Sequence, residues 1–189
     1  MEKKTLRRES FRRIKAISES EKKDFSSRIV SLLADLPEIQ KAETIFSYAA
    51  MSSEPNLETL RDHFPDKRWA LSRVGGDGEA LHFHEVECGE ALQESHFGFL
   101  EPDPYRCPVI TNPDVVLVPG VGFDPETQAR LGRGKGHYDR YLAPLFESEA
   151  PPFLIGIGFS TQWFPIVTEP HDIPMHAIVS EEGTVRTSA

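Results

Sequence analysis

Apolar side chains recur at helical spacing through the first part of the chain. Residues 3–17 carry one stripe, formed by Leu6, Phe11, Ile14 and Ile17. A second stripe follows it, formed by Phe25, Ile29, Leu32, Leu33 and Leu36. Ser18 and Glu21 have the spacing of a capping box before the second stripe, and Pro37 stands at its end. The pattern predicts two consecutive amphipathic helices.

The rest of the chain alternates short apolar runs with polar or helical segments. The runs predicted as strands are Thr44–Ala49, Trp69–Val74, Leu81–Val86, Val115–Val118, Phe153–Phe159 and Ala177–Ser180. Thr184–Arg186 is predicted to pair with the last of them. A further helix is predicted from Leu57, capped by Asn56, whereas the proline-rich residues 87–114 are predicted to be mostly irregular. Alternating strands and helices indicate an α/β domain with a largely parallel central sheet and antiparallel edge strands.

Length, charge and cysteine content restrict the class of protein. A chain of 189 residues with 39% hydrophobic residues suits one globular domain over residues 1–189. The net charge of −9 argues against a general nucleic-acid binder. The sequence contains no run of about 18 apolar residues, which is the length needed to span a membrane. Cys88 and Cys107 fit reduced thiols, and the charged start lacks the apolar core of a secretory signal. We therefore expect a cytoplasmic protein without nucleic-acid or membrane partners.

The densest chemical signal is the segment VVLVPGVGFDPETQARLGRGKGHYDRYL. Its buried strand, Val115–Val118, leads to a loop in which glycines alternate with Arg133 and Lys135. Glycines allow the backbone to approach an anion closely, and the helix predicted after the loop adds its positive end. Together with Arg130, the loop offers three cationic side chains. The segment therefore indicates a polyphosphate site.

Two common nucleotide motifs do not match this loop. A Walker A loop would require Gly at position 129 and Ser or Thr at position 136, where Ala129 and Gly136 stand. The glycine spacing also differs from the dinucleotide fingerprint G-x-G-x-x-G. A surface loop with solvated charges remains an alternative on local pattern alone. The position after a buried strand favours a site, because α/β sheets bind ligands at the carboxyl ends of their strands.

Other candidate residues lie outside this loop. Lys3 and Arg7 are one helical turn apart on one face, which suits phosphate binding or a solvated basic surface. Asp139 lies one turn into the helix after the loop, where it could bind Mg²⁺ beside a polyphosphate or simply favour the helix dipole. Taken alone, Asp172 suits a turn residue and Glu54 suits an exposed loop charge.

Separated blocks of the chain also form a pattern together. The most distinctive is RLGRGKGHYDRYL, which follows FD and the strand-and-turn segment LVPGVGF. The others are Lys3-x-x-x-Arg7 within KKTLRR, IFSYAAMSSEPNLET, GFLEP at 98–102 and HDIPMHAIVSEE. In this order the blocks resemble the 5-formyltetrahydrofolate cyclo-ligase family over nearly the whole chain. The resemblance implies a three-layer α/β/α fold.

The resemblance also implies an activity and a set of site residues. The expected reaction converts 5-formyltetrahydrofolate to 5,10-methenyltetrahydrofolate with ATP and Mg²⁺ in a monomer, and Lys135 and Arg130 are the expected catalytic residues. ATP is expected to contact Lys3, Arg7, Arg130, Gly132, Arg133, Gly134, Lys135, Gly136, His137 and Tyr138. The folate is expected to contact Ala49, Glu54, Arg133, Gly134, Lys135, Gly136 and His137. Asp139 and Asp172 are the expected Mg²⁺ ligands.

The chain departs from the family pattern at three places. FDPETQARLG is one residue longer than the family's FD-x-x-G-x-RLG and lacks its glycine, so we expect a differently built turn. His137 stands where a Tyr is common, and Phe97 stands near a position often occupied by Trp. Two alternatives therefore stay open. One is a folate- or nucleotide-binding paralogue without turnover, and the other is an enzyme of related fold that handles a sugar phosphate or CoA.

Overall fold

Five α-helices and eleven strands are formed by the residues that the computed structural model describes, which are 2–75, 78, 80–87, 92–95 and 100–186. The helices are α1 (Lys3–Ala16), α2 (Glu19–Ala34), α3 (Pro37–Lys41), α4 (Leu60–His63) and α5 (His137–Phe146). The strands are β1 (Thr44–Ser47), β2 (Arg68–Val74), β3 (Leu81–Glu85), β4 (Leu92–Glu94), β5 (Leu100–Pro102), β6 (Val115–Pro119), β7 (Gly122–Asp124), β8 (Ala129–Leu131), β9 (Phe153–Ile157), β10 (Ala177–Ser180) and β11 (Gly183–Arg186). Within this part of the chain, no helix has the length and apolar character needed to cross a membrane.

Local sequence determines where the second helix begins. The Ser18 hydroxyl accepts a hydrogen bond from the backbone N–H of Glu21 at 3.3 Å, and the Glu21 carboxylate accepts one from the Ser18 N–H at 2.8 Å. This reciprocal capping box satisfies two N–H groups that a helix start leaves unpaired. Pro37 then occupies the first turn of α3, where its missing N–H costs nothing. Both helices predicted at the amino terminus are confirmed.

Seven strands form one sheet in the order β11-β10-β9-β6-β1-β2-β3. The five central strands, from β10 to β2, run parallel to one another. The two edge strands, β3 and β11, pair antiparallel with β2 and β10. The predicted α/β class, with a largely parallel sheet and antiparallel edges, is therefore confirmed.

Alternate residues of the central strand β6 contribute to two separate cores. Val115 and Leu117 pack into a cluster that includes residues of α1 and α2. Val116 and Val118 pack into a second cluster, together with Leu142 of α5. Helices therefore cover both faces of the sheet, which explains why this strand is apolar at every position.

One predicted helix begins later in the structure, and one segment predicted as mostly irregular also contains two short strands. Helix α4 begins at Leu60 rather than Leu57, because the Asn56 side chain accepts a hydrogen bond from the Glu58 N–H at 2.9 Å and forms a turn first. The segment 87–114, predicted as mostly irregular, contains β4 and β5, which pair antiparallel in a small separate sheet. Phe97 and the first part of GFLEP lie outside the described residues.

The unusual segment FDPETQARLG forms the hairpin between β7 and β8. One oxygen of the Asp124 carboxylate accepts hydrogen bonds from the N–H groups of Glu126 and Thr127, which starts the turn. Gln128 then adopts a left-handed conformation with φ of 60°, and its side chain donates to the Pro125 carbonyl at 2.9 Å. A non-glycine residue thus supplies the positive φ that closes this longer turn.

Candidate active site

A cavity of about 340 Å³ lies at the carboxyl ends of the central parallel strands. Tyr48 follows β1, Ser72 lies in β2 and Pro119 ends β6, and all three line it. The residues that the sequence analysis expected at ATP, folate or Mg²⁺ also line it: Lys3, Arg7, Ala49, Glu54, Arg130, Gly132, Arg133, Gly134, Lys135, Gly136, His137, Tyr138, Asp139 and Asp172. The fold therefore gathers in one place side chains that are far apart in sequence.

Residues 132–136, between β8 and α5, form what we call the glycine loop. Gly134 and Gly136 have φ values of +105° and +66°, which L side chains rarely adopt. At Gly132 the constraint is space, since a Cβ there would lie 2.9 Å from Nη1 of Arg130 and that side chain would have to shift. Gly136 is also the N-cap residue of α5. The loop thus ends at a helix amino terminus, whose unpaired N–H groups and dipole suit an anion.

Arg130 lies beneath the glycine loop, with its side chain only 4% exposed. Its Nη2 donates to Oδ1 of Asp139 at 2.9 Å, and its Nη1 donates to the Pro119 carbonyl at 3.2 Å. The guanidinium carbon also lies 5.5 Å from the centre of the Tyr138 ring. Arg130 therefore connects the end of β6 with the first turn of α5.

Helix α1 brings Lys3 and Arg7 to the cavity beside the glycine loop. Arg7 Nε donates to the Gly132 carbonyl at 2.8 Å, and Lys3 Nζ lies 2.7 Å from Oδ2 of Asp172. Burial acts to raise the pKa of Asp172, but hydrogen bonds from Lys3 and from the Glu169 N–H outweigh it, so this pKa lies below its usual value. For Lys3, burial acts to lower the pKa, but its bonds to Asp172 and Glu169 raise it overall.

Glu54 is a buried member of the site rather than an exposed loop charge. Its side chain is 7% exposed, and Oε1 lies 2.9 Å from Nη2 of Arg133 in the glycine loop. The other oxygen accepts a hydrogen bond from the Met51 N–H at 3.0 Å. Arg133 also donates to the Ser53 hydroxyl at 2.8 Å, so the loop and the segment after β1 meet across the cavity.

Two tyrosines, Tyr48 and Tyr138, also line the cavity. Tyr138 donates to Oγ of Ser72 at 3.2 Å, and burial raises its pKa well above the ordinary value. Tyr48 donates to the Pro55 carbonyl at 2.9 Å, and burial raises its pKa as well. Both phenols therefore stay protonated at neutral pH. His137 lies 3.0 Å, through Nε2, from the Gly78 carbonyl.

Several lining residues were missed by the sequence analysis, and Tyr48, Ser72 and Glu169 are among them. Tyr48 follows β1 and Ser72 lies in β2, and the sequence pattern of these strands indicates only that they are buried. Glu169 lies near the Asp172 block, and this proximity was the one signal that could have identified it. Among the described residues, Glu169, His171 and Asp172 form one group whose potential ligand atoms lie within 4.8 Å of one another. The Lys3 ammonium contacts both carboxylates of this group.

The geometry defines a class of protein: an α/β protein with a cleft, lined by several cationic side chains, at the carboxyl edge of a parallel sheet. A sequence model of the 5-formyltetrahydrofolate cyclo-ligase family matches residues 1–181. The chain therefore belongs to the 5-formyltetrahydrofolate cyclo-ligase family, and the resemblance noted in its sequence is confirmed.

Individual relatives agree with this assignment. A 5-formyltetrahydrofolate cyclo-ligase of Mycolicibacterium smegmatis is 31% identical over 152 residues, which are 75% of this chain and 76% of the relative. The enzyme of that name from Saccharomyces cerevisiae is 41% identical over 75 residues, which cover only 38% of this chain and 36% of the yeast protein. The NMR structure of Aquifex aeolicus 5,10-methenyltetrahydrofolate synthetase has a TM-score of 0.82 at 29% identity, covering 100% of this chain and 94% of that one.

Proposed function

We propose that the protein converts 5-formyltetrahydrofolate to 5,10-methenyltetrahydrofolate in an ATP- and Mg²⁺-dependent reaction that releases ADP and phosphate. The observation that carries this proposal is a single cavity with two unlike walls. One wall is the cationic glycine loop with Lys3 and Arg7, and the other holds the buried carboxylate of Glu54. Such a cavity suits a polyphosphate placed against a ligand rich in N–H donors. Family membership supports the same reaction.

On the nucleotide side, the proposed ligands are backbone N–H groups and cations. The glycine loop and the start of α5, from Gly132 to Tyr138, offer N–H groups to phosphate oxygens. Arg7 and Lys3 approach the same loop from α1. Lys135 is exposed on the loop, and we assign it to the γ-phosphate, where a compact positive charge stabilises the shifting charge during transfer.

On the folate side, the proposed ligands are Ala49 and Glu54. The Glu54 carboxylate can accept hydrogen bonds from the amino and ring N–H groups of a reduced pterin. Ala49 and the glycine loop complete the wall around it. Residues 133–137 line the same cavity as Glu54, and Arg133 lies 2.9 Å from its carboxylate, which supports their assignment to both ligands.

The chemical task is to replace the oxygen of an unreactive formyl amide. The formyl oxygen attacks the γ-phosphorus of ATP, and ADP leaves. N10 then attacks the activated formyl carbon and loses its proton, and the C–O bond breaks so that phosphate departs with the former formyl oxygen. No covalent bond to the protein forms in this sequence. The protein therefore contributes orientation and charge stabilisation.

Asp139 and Asp172 fit the proposed Mg²⁺ site. Mg²⁺ prefers one or two carboxylates together with phosphate oxygens and water, and both carboxylates line the cavity beside the phosphate-suited loop. Each carboxylate is held by a cation, Asp139 by Arg130 and Asp172 by Lys3. When bound, Mg²⁺ would neutralise charge on the phosphates.

The proposal is tested by following formation of methenyltetrahydrofolate by absorbance with purified protein. We expect product only when 5-formyltetrahydrofolate, ATP and Mg²⁺ are all present. Binding of both ligands without product would identify a non-catalytic paralogue instead. Sedimentation of the same preparation tests the expected monomer. The cytoplasmic location stays a prediction.

A further inference from the structure

Arg73 lines the cavity but lies apart from the cations proposed for the nucleotide. Those cations come from α1 and from residues 130–135, and the segment that carries the latter follows β6 in the chain. Arg73 belongs to β2, and β1 separates β2 from β6 in the sheet. The sheet order therefore places this arginine on a different strand and on the far side of β1 from β6.

The position of Arg73 matches that of the proposed folate wall. In the parallel pairing of β1 with β2, Ser47 stands opposite Leu71. Ala49 and Arg73 each lie two residues beyond this pair, at the carboxyl edge of the sheet. Both residues line the cavity, and Ala49 is a proposed folate contact. A cation that the nucleotide site does not use therefore adjoins the folate side.

The side chain of Arg73 is mostly buried and is held by Glu101. It is 19% exposed, and its Nε donates to Oε1 of Glu101, whose side chain is 9% exposed, at 3.0 Å. This bond orients the guanidinium and uses one of its five N–H groups. Of this described pair, only Arg73 lines the cavity. A ligand in the cavity therefore meets the arginine rather than the carboxylate that holds it.

Apolar side chains adjoin this cation. Val74 follows Arg73 in β2, Leu100 precedes Glu101 in β5, and both apolar residues line the cavity. Leu100 is 52% exposed, which leaves apolar surface open to solvent. An aromatic ring placed against it would remove that surface from water. The combination suits a ligand in which an aromatic ring is followed by an anion.

5-Formyltetrahydrofolate has such a part, because its pterin is linked through a p-aminobenzoyl ring to a glutamate. We propose that Arg73 binds a glutamate carboxylate of this substrate, with the p-aminobenzoyl ring against Leu100 and the pterin at Glu54. The inference rests on the proposed function, since it takes this folate as the second ligand of the cavity. A planar guanidinium suits the role because two of its N–H groups can bond both oxygens of one carboxylate.

The test compares 5-formyltetrahydrofolate with its diamide, in which both glutamate carboxylates are uncharged. Calorimetry measures the binding of each, and of the non-hydrolysable analogue β,γ-imido-ATP, to wild type and to Arg73→Met. We expect wild type to bind the diamide about tenfold more weakly than the substrate, because a charge-assisted pair is lost. Arg73→Met should bind substrate and diamide equally, at the affinity of wild type for the diamide. Its affinity for β,γ-imido-ATP should be unchanged.

Three further variants separate carboxylate binding from a structural role. Arg68→Met is the matched control and should bind as wild type does, because Arg68 also lies in β2 and forms two bonds with Glu85 but does not line the cavity. Glu101→Gln keeps the arginine and should bind the substrate at least as tightly as wild type, because Arg73 no longer faces a competing carboxylate. Arg73→Met combined with Glu101→Gln leaves no unpaired buried carboxylate, so it gives the same comparison if the single variant does not fold.

Other outcomes would overturn the inference in distinguishable ways. Wild-type affinity for the substrate in Arg73→Met would remove the arginine from the folate site. If Arg73→Met weakens binding of substrate and diamide equally, Arg73 shapes the cavity without binding a carboxylate. If it weakens binding of β,γ-imido-ATP instead, Arg73 belongs to the nucleotide site. In these three cases the proposed function stands. If wild type binds neither folate nor nucleotide, both this inference and the proposed function fail.

Discussion

Arg133 and Glu54 are 79 residues apart in sequence, yet Nη2 of the arginine lies 2.9 Å from Oε1 of the glutamate. The arginine belongs to the proposed nucleotide wall and the glutamate to the proposed folate wall. Each ligand must therefore compete with this ion pair for its own contact. Under the proposed function, a phosphate that binds Arg133 would break the pair and leave Glu54 available to the folate, so the two binding events should be coupled.

This coupling is the first prediction. In the wild type, β,γ-imido-ATP with Mg²⁺ should increase the affinity for 5-formyltetrahydrofolate by about fivefold or more. Arg133→Met should abolish the increase, because Glu54 is then available in both states. Calorimetric titration of the folate with and without the analogue measures the effect, with Arg12→Met on the exposed side of α1 as the control. Equal coupling in wild type and Arg133→Met would contradict the prediction.

The second prediction concerns Lys135. Lys135→Ala should lower kcat by about 100-fold or more, because a charge that acts on the transferring phosphoryl group is lost. Far-ultraviolet circular dichroism should show an intact fold, since the side chain is exposed. As a control, Lys15→Ala removes another exposed cation, which lies near the end of α1 and outside the cavity lining. Wild-type kcat in Lys135→Ala would remove this residue from the catalytic assignment.

The third prediction compares two glycine variants to distinguish backbone strain from an effect on ATP binding. Gly134 and Gly183 have φ values of +105° and +144°, so alanine at either position should destabilise the protein by about 1–2 kcal/mol. Only Gly134→Ala should raise the KM for ATP, because Gly134 lines the cavity and Gly183 does not. Chemical denaturation and steady-state kinetics measure the two effects. An equal rise in KM for both variants would argue against a nucleotide role for the loop.

The ion pair of Lys3 with Asp172 gives the fourth prediction, a pH dependence. The pKa of Asp172 is lowered from 3.8 in the folded protein, so its stabilisation is present above that pH and is lost as the pH falls through the folded value. The pKa of Lys3 is raised from 10.5, so its contribution is present below that pH and is lost as the pH rises further. Asp172→Asn should lower the free energy of unfolding at pH 7 by about 1 kcal/mol or less, because the pair is partly exposed.

Denaturation curves for wild type and Asp172→Asn across this range provide the measurement. The difference between them should shrink below pH 3.8 and above pH 10.5. A difference that grows as the solution becomes acidic would show that Asp172 is destabilising in the folded state.

The spacing of apolar residues predicted the elements at which the burial pattern and local sequence motifs favour the same structure. The capping box of Ser18 and the apolar run Val115–Val118 each favour one structure, and both are confirmed. The short strands β4 and β5 could not be predicted, because three residues of mixed polarity carry no usable period. Gln128 was missed in the same way, since its positive φ depends on the turn that Asp124 begins.

The candidate site could be predicted as a set of residues but not as a set of interactions. The motifs named side chains that line one cavity, because carboxyl ends of parallel strands gather on one edge. The pair Lys3–Asp172 spans 169 residues and depends on how α1 packs against the rest of the domain. The burial of Arg130 likewise depends on tertiary packing, and local pattern alone indicated an accessible cation.

The central claim is that the formyl oxygen leaves as part of phosphate, and isotope transfer tests it most directly. The substrate is 5-formyltetrahydrofolate with ¹⁸O in the formyl group, and it is turned over once with ATP and Mg²⁺. Mass spectrometry of the released phosphate should find one ¹⁸O atom for each methenyltetrahydrofolate formed. Methenyltetrahydrofolate formed with unlabelled phosphate would contradict the claim.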